Sequence, residues 1–154
     1  MTHLKIGDLA PAFEANDQNG NPVSLESLKG NKIILFFYPK DNTPGCTAEA
    51  CDLRDNYADL TEKGFAVIGV SPDSEASHQK FIAKFELPYT LLVDSEKKIL
   101  TDYGAWGEKK MYGKTYMGVL RSTFIIDADG KIEKIIEKVK TKEHTKQIYG
   151  ELNL

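Results

Sequence analysis

The chain has 154 residues, enough for one domain with a sizeable core. It is 41% hydrophobic and 28% charged, and 20 basic against 23 acidic side chains leave a net charge of −3. With no long run of one sign, that balance speaks against a nucleic-acid face or a polybasic membrane anchor.

The opening MTHLKIGDLAPAF lacks a charged-then-apolar leader, so a cytosolic protein is expected, with residues 1–154 forming one domain. Residues 10–25 alternate weakly around Asn19-Gly20 and Asn21-Pro22 and predict a hairpin. KIILFFY (32–38) is a continuous apolar run that reads as a strand buried on both faces, and FAVIGVS (65–71) and YTLLVD (89–94) read likewise. STFIID (122–127) passes through the turn Asp127-Ala128-Asp129-Gly130 into KIEKIIEKV (131–139), a hairpin at a sheet edge. Helical patterns fall between the strands, over 44–63 with Gly64 as its stop, 74–85, 98–103 and 142–152. Residues 104–118 read as a long polar loop carrying Trp106. Strands alternating with helices imply an α/β sandwich on a mixed sheet.

Both cysteines lie in FFYPKDNTPGCTAEAC (36–51). Thr43 reads as the N-cap of the helix and Pro44 as its first residue, which puts Cys46 in the first turn. Unpaired N–H groups and the positive end of the helix dipole favour an anion there. Thiols at helix starts ionise more readily than the ordinary thiol, whose pKa is about 8.5. Cys46 shares the stripe of Ala50, Leu53, Tyr57 and Leu60 and so faces the body of the protein, whereas Cys51 falls on a more polar face. In an intact helix, five residues separate two Cα atoms by about 8–9 Å, beyond the ~7 Å that a disulfide spans. If the two thiols bond, the first turns of the helix must unwind.

The same stretch resembles the peroxiredoxins. Their Pro-x-x-x-Thr-x-x-Cys motif is met by Pro39, Thr43 and Cys46, and Cys51 stands where the PrxQ, or bacterioferritin comigratory, type carries its second cysteine. GDLAPAF, GVSPD, the block from Tyr103 to Asp127 and DADGKI extend the likeness over nearly the whole chain. The resemblance implies a thioredoxin-like fold, a central mixed β-sheet flanked by helices, with an N-terminal β-hairpin extension. It implies reduction of hydrogen peroxide and alkyl hydroperoxides. In that reading Cys46 is the peroxidatic nucleophile and Cys51 the resolving thiol. Thr43 bonds the peroxide, Pro39 shields the site, Arg121 sits beside the thiolate, and a thioredoxin-like dithiol protein recycles the pair. Attack on an O–O bond builds negative charge on the leaving oxygen, which a hydroxyl, backbone N–H groups and an arginine stabilise. No cofactor is implied, and because both cysteines lie on one chain and can pair within it, a monomer is expected.

Competing readings weigh less. Cys-x4-Cys with His3, His78 and His144 scattered along the chain is not a zinc spacing, so no metal is expected. Gly107 to Thr115 has one residue too many for a phosphate loop. A protein thiol–disulfide oxidoreductase would carry Cys-x-x-Cys, and a non-enzymatic binding module of the same fold would need no activated thiol.

Overall fold

The computed structural model describes residues 2–154. Its centre is the apolar run, now strand β3 (Lys32–Phe37), which lies between β4 (Phe65–Ser71), parallel to it, and β8 (Ser122–Ile126), antiparallel. β5 (Thr90–Val93) extends the sheet beyond β4, and β9 (Ile132–Ile136) closes it beyond β8, giving the order β5-β4-β3-β8-β9. Three parallel strands, β3, β4 and β5, joined by two helical crossovers, and an edge hairpin account for the mixed sheet.

The pleat of β3 divides the core. Ile33, Leu35 and Phe37 join one apolar cluster with Phe13, Leu100, Tyr103 and Phe124. Ile34, Phe36 and Tyr38 join the other with Cys46, Leu53, Phe81 and Ile148. Successive side chains of a strand point to opposite faces, so a strand covered on both sides must be apolar throughout. The second cluster is roofed by α1 (Pro44–Asp55), α2 (Tyr57–Glu62), α3 (Glu75–Phe85) and α5 (His144–Leu152). The first is covered by the hairpin of β1 (Glu14–Asn16) and β2 (Pro22–Ser24) and by α4 (Lys98–Asp102).

Two elements differ from the expectation. The single helix over 44–63 is two, parted at Asn56, whose backbone leaves the helical region and whose side-chain amide donates to the Asp52 carbonyl. Asparagine offers its own backbone a rival hydrogen bond, which a hydrophobic pattern does not register. The polar loop over 104–118 is a β-ribbon, β6 (Trp106–Met111) paired antiparallel with β7 (Lys114–Val119). Its two turn residues, Tyr112 and Gly113, both hold positive φ, the conformation of a two-residue hairpin turn. Most of this ribbon is exposed, so it shows no apolar alternation to read. Gly64 does follow the second helix at φ +89. No helix among the described residues is long and apolar enough to cross a membrane.

Candidate active site

β3 ends at Phe37, and the chain crosses Tyr38 to Thr43 before entering α1. Thr43 occupies the N-cap position with extended backbone, and Pro44 is the first helical residue. The Thr43 hydroxyl does not cap the helix, however. It donates to the Lys40 carbonyl at 2.8 Å, tightening the turn instead and leaving its oxygen lone pairs as acceptors. Pro39 is half-buried where the strand gives way to this turn. Cys46 lies in the first turn as expected and is 2% exposed, inside the cluster of Phe36, Tyr38 and Ile125.

Arg121 arrives from the other side of the sheet's centre. Ser122, the first residue of β8, pairs with Phe37, the last of β3, so the residue just before β8 emerges where the Cys46 segment begins. Its Nη2 donates to Cys46 Sγ at 3.3 Å, and its Nη1 donates to Glu49 Oε1 at 2.6 Å. Burial opposes the guanidinium charge, but Glu49 and Cys46 outweigh it and hold the arginine above its ordinary pKa. Gly45 leaves the space this needs, since a Cβ there would meet Arg121 Nη2 at 3.3 Å.

Glu49 was not among the residues the sequence pointed to. It is fully buried one turn after Cys46. Burial pushes its carboxyl up to about 7, Asp52 adds to the rise, and Arg121 pulls the other way. An acid between the core positions Cys46, Ala50 and Leu53 was the available signal, because a carboxylate on a buried stripe needs a partner.

Cys51 is half-buried further along α1, and both thiols are free. Burial raises the Cys51 thiol, helped by Asp55 and opposed by Arg54. The first turns of α1 are intact, so the structure holds the reduced arrangement.

Behind the turn from Tyr38 to Thr43 lies a second polar group that the sequence did not reveal. Asp41 Oδ1 accepts from the Tyr38 hydroxyl at 2.5 Å, and Oδ2 accepts from Ser77 Oγ at 2.8 Å. His78 Nδ1 lies 2.7 Å from Asp41 Oδ2, and its Nε2 lies 2.8 Å from the Leu92 carbonyl. A carbonyl and an ionised carboxylate only accept, so this arrangement favours hydrogen on both ring nitrogens, the imidazolium form. Burial disfavours that charge, but the bond to Asp41 and its charge prevail and the ring's pKa is raised. Asp41, Asp73 and His78 stand close enough to grip a cation, yet His78 spends both nitrogens on these bonds.

An apolar groove of about 590 Å³, lined in part by Leu9, Phe13, Leu25, Ile99 and Gly130, lies at the opposite end of the sheet and holds none of these residues.

A buried cysteine in the first turn of a helix, held by an arginine across a sheet of this order, defines a thiol enzyme on a thioredoxin-like frame. Residues 6–135 match the AhpC/TSA family, and the chain belongs to that family. It is 49% identical over 141 residues to peroxiredoxin Bcp of Bacillus subtilis (strain 168), spanning 92% of this chain and 90% of that one. It is 45% identical over 144 residues to peroxiredoxin Bcp of Escherichia coli (strain K12), spanning 94% and 92%. Among solved structures it resembles a mutant PrxQ of Xylella fastidiosa with a TM-score of 0.92 at 29% identity, covering 99% and 98% of the two chains. The bacterioferritin comigratory protein of Xanthomonas campestris, studied for alkyl peroxide reduction, superposes with a TM-score of 0.88 at 29% identity over 99% and 98%. Within its family the chain is a peroxiredoxin of the Bcp, or PrxQ, type, a thiol-dependent peroxidase.

Proposed function

We propose that Cys46 is the peroxidatic nucleophile and Cys51 the thiol that resolves it, with hydrogen peroxide and alkyl hydroperoxides as substrates. The Arg121 Nη2 contact to Cys46 Sγ carries the reading, because a cation 3.3 Å from the sulfur stands ready for the charge that develops on the leaving oxygen. The Cys46 thiolate attacks one peroxide oxygen. An S–O bond forms, the O–O bond breaks, and the leaving hydroxide or alkoxide takes up a proton to become water or alcohol. Thr43, whose own proton goes to Lys40, accepts a hydrogen bond from the peroxide O–H and aligns it. Pro39 restricts water at the mouth of the site.

The sulfenic acid on Cys46 condenses with the Cys51 thiol, forming an S–S bond and releasing water. Because α1 holds the two residues apart, this step unwinds its start. A thioredoxin-like dithiol protein then reduces the disulfide by exchange. The enzyme works as a monomeric single domain in the cytoplasm, where such a reductant is kept reduced, and it needs no nucleic acid or membrane partner.

Stopped-flow mixing of reduced protein with one equivalent of hydrogen peroxide tests the cycle. Loss of two thiols per chain with a Cys46–Cys51 link in the mass spectrum is the expected result. Persistence of both thiols overturns it.

A further inference from the structure

Glu49 Oε2 is one of two buried side-chain oxygens among the described residues with no hydrogen-bond partner. It faces His144 Nε2 at 3.5 Å, and both side chains are fully buried. The other oxygen, Oε1, accepts from Arg121. What stands between Oε2 and Nε2 therefore decides how much negative charge Arg121 meets.

The tautomer of His144 follows from its surroundings. Gln147 Nε2 donates to the Lys138 carbonyl and Gln147 Oε1 accepts from the Lys140 N–H, which fixes the amide's orientation. That same Oε1 lies 3.0 Å from His144 Nδ1, so Nδ1 carries a hydrogen. On the far side Nε2 lies 2.8 Å from Thr123 Oγ1, which can donate to it. A neutral His144 thus offers Glu49 no N–H, only the one Nε2 lone pair that the Thr123 hydroxyl also reaches, and an ionised Glu49 would add a second acceptor beside it. Two acceptors buried face to face repel unless a proton joins them.

We propose that Glu49 and His144 hold one proton between them, on the carboxyl, and that its presence leaves the charge of Arg121 free to face the Cys46 sulfur. The inference rests on the peroxidase reading of that sulfur. The groups facing Glu49 are Asp52 on α1, Arg121 before β8, whose other arm meets Cys46, His144 on α5, and Tyr89, whose buried hydroxyl feels the carboxylate and donates to the Ala50 carbonyl. Of these only Arg121 favours the ionised acid, and burial outweighs it, lifting the carboxyl to about 7. Burial likewise lowers His144 to about 4, against its bond to Gln147 and the charge of Asp52. Between those values the pair carries one proton and rests on the acid. When Glu49 ionises, its proton goes to solvent and its charge turns Arg121 away from the thiolate in electrostatic terms.

Nitrogen NMR of histidine-labelled reduced protein, titrated alongside Glu49→Gln, tests the shared proton without any peroxide. At about pH 6 His144 is expected as the neutral Nδ1–H form, with a midpoint near neutrality that the variant lacks. A doubly protonated His144 at that pH, or the same midpoint in the variant, overturns the proposal. The link to Cys46 is read from its rate of oxidation by hydrogen peroxide. The rate of the variant relative to the native enzyme is expected to rise severalfold across the same midpoint, and a flat ratio overturns that link. A chain that shows the NMR midpoint but never reacts with peroxide refutes the peroxidase reading instead. If Glu49→Gln does not fold, the infrared carbonyl band of a protonated carboxyl in the native protein decides. Its loss across neutrality supports the shared proton, and its absence at about pH 6 overturns it.

Discussion

Arg121 and Cys46 stand 75 positions apart in the chain and 3.3 Å apart in space, joined through a guanidinium whose other arm holds Glu49. Removing the arginine therefore has two effects. Arg121→Ala deprives the leaving oxygen of its cation, which should slow Cys46 oxidation by roughly 10²–10³-fold. It also leaves Glu49 buried without its counter-charge, so denaturant unfolding should show a loss of stability that is greater above neutrality than below. Stopped-flow oxidation and urea melts measure the two separately, and an unchanged oxidation rate would remove Arg121 from the reaction.

The spacing of the thiols on α1 makes a prediction about motion. In the reduced enzyme the amides from Thr47, which bonds the Thr43 carbonyl, to Asp55 should exchange slowly, as helix interiors do. In the disulfide form the same amides should exchange rapidly, because the helix start has unwound. Cys51→Ser should still form a sulfenic acid but keep α1 protected, and Cys46→Ser should not react. Equal protection in both redox states would mean that the disulfide forms without unwinding.

The two helix starts behave differently. Ser74 accepts from the Ser77 N–H and caps α3, whereas Thr43 turns its hydroxyl to Lys40. Ser74→Ala should cost ~1 kcal/mol of stability with little change in peroxide reactivity. Thr43→Val, which loses the bond to Lys40, should cost a similar ~1 kcal/mol, but should also slow the first oxidation step by roughly 10²-fold. Parallel thermal melts and single-turnover kinetics separate the two roles, and an unchanged oxidation rate in Thr43→Val would leave that hydroxyl a purely structural part.

Just above neutral pH, the dependence of stability on pH falls mainly to His78. The Glu49–His144 pair contributes little: unfolded, its groups titrate near 4.5 and 6.5, and folded they titrate at about 4 and 7. The pair thus carries about one proton over most of the same range in both states. His78 differs, because its folded value is raised above 6.5. Its contribution is full below 6.5 and is lost as the pH climbs through the folded value. Urea midpoints should fall as the pH rises from neutral to mildly alkaline, below the range where the Cys51 thiol and the buried tyrosines ionise, and His78→Ala should flatten that fall. The variant should also cost ~3–5 kcal/mol at neutral pH, since it strands Asp41 in a buried site. A native-like alkaline slope in the variant would assign the titration elsewhere.

What the sequence determined by itself was local. A run such as KIILFF, β-branched and aromatic and bounded by turn residues, reads as a strand covered on both faces, Pro44 after Thr43 reads as a helix start, and that start places Cys46 among free N–H groups. These are matters of period and of neighbours a few residues away, and residues 32–46 carry them complete. The family pattern added Arg121 by position, without saying what holds it. The buried partners were decided by the tertiary structure. Glu49, His78 and His144 read as ordinary polar residues until the β3–β8 register brings Arg121 under α1 and the crossover helix α3 lays His78 against Asp41. The exposed ribbon of β6 and β7 was hidden for the opposite reason, since a strand pair with water on most of its surface needs no apolar period. Charge in the interior is a property of the assembled neighbours. The distance from Glu49 to Arg121 and His144 is set by how a sheet and two helices pack, and no spacing along the chain contains it.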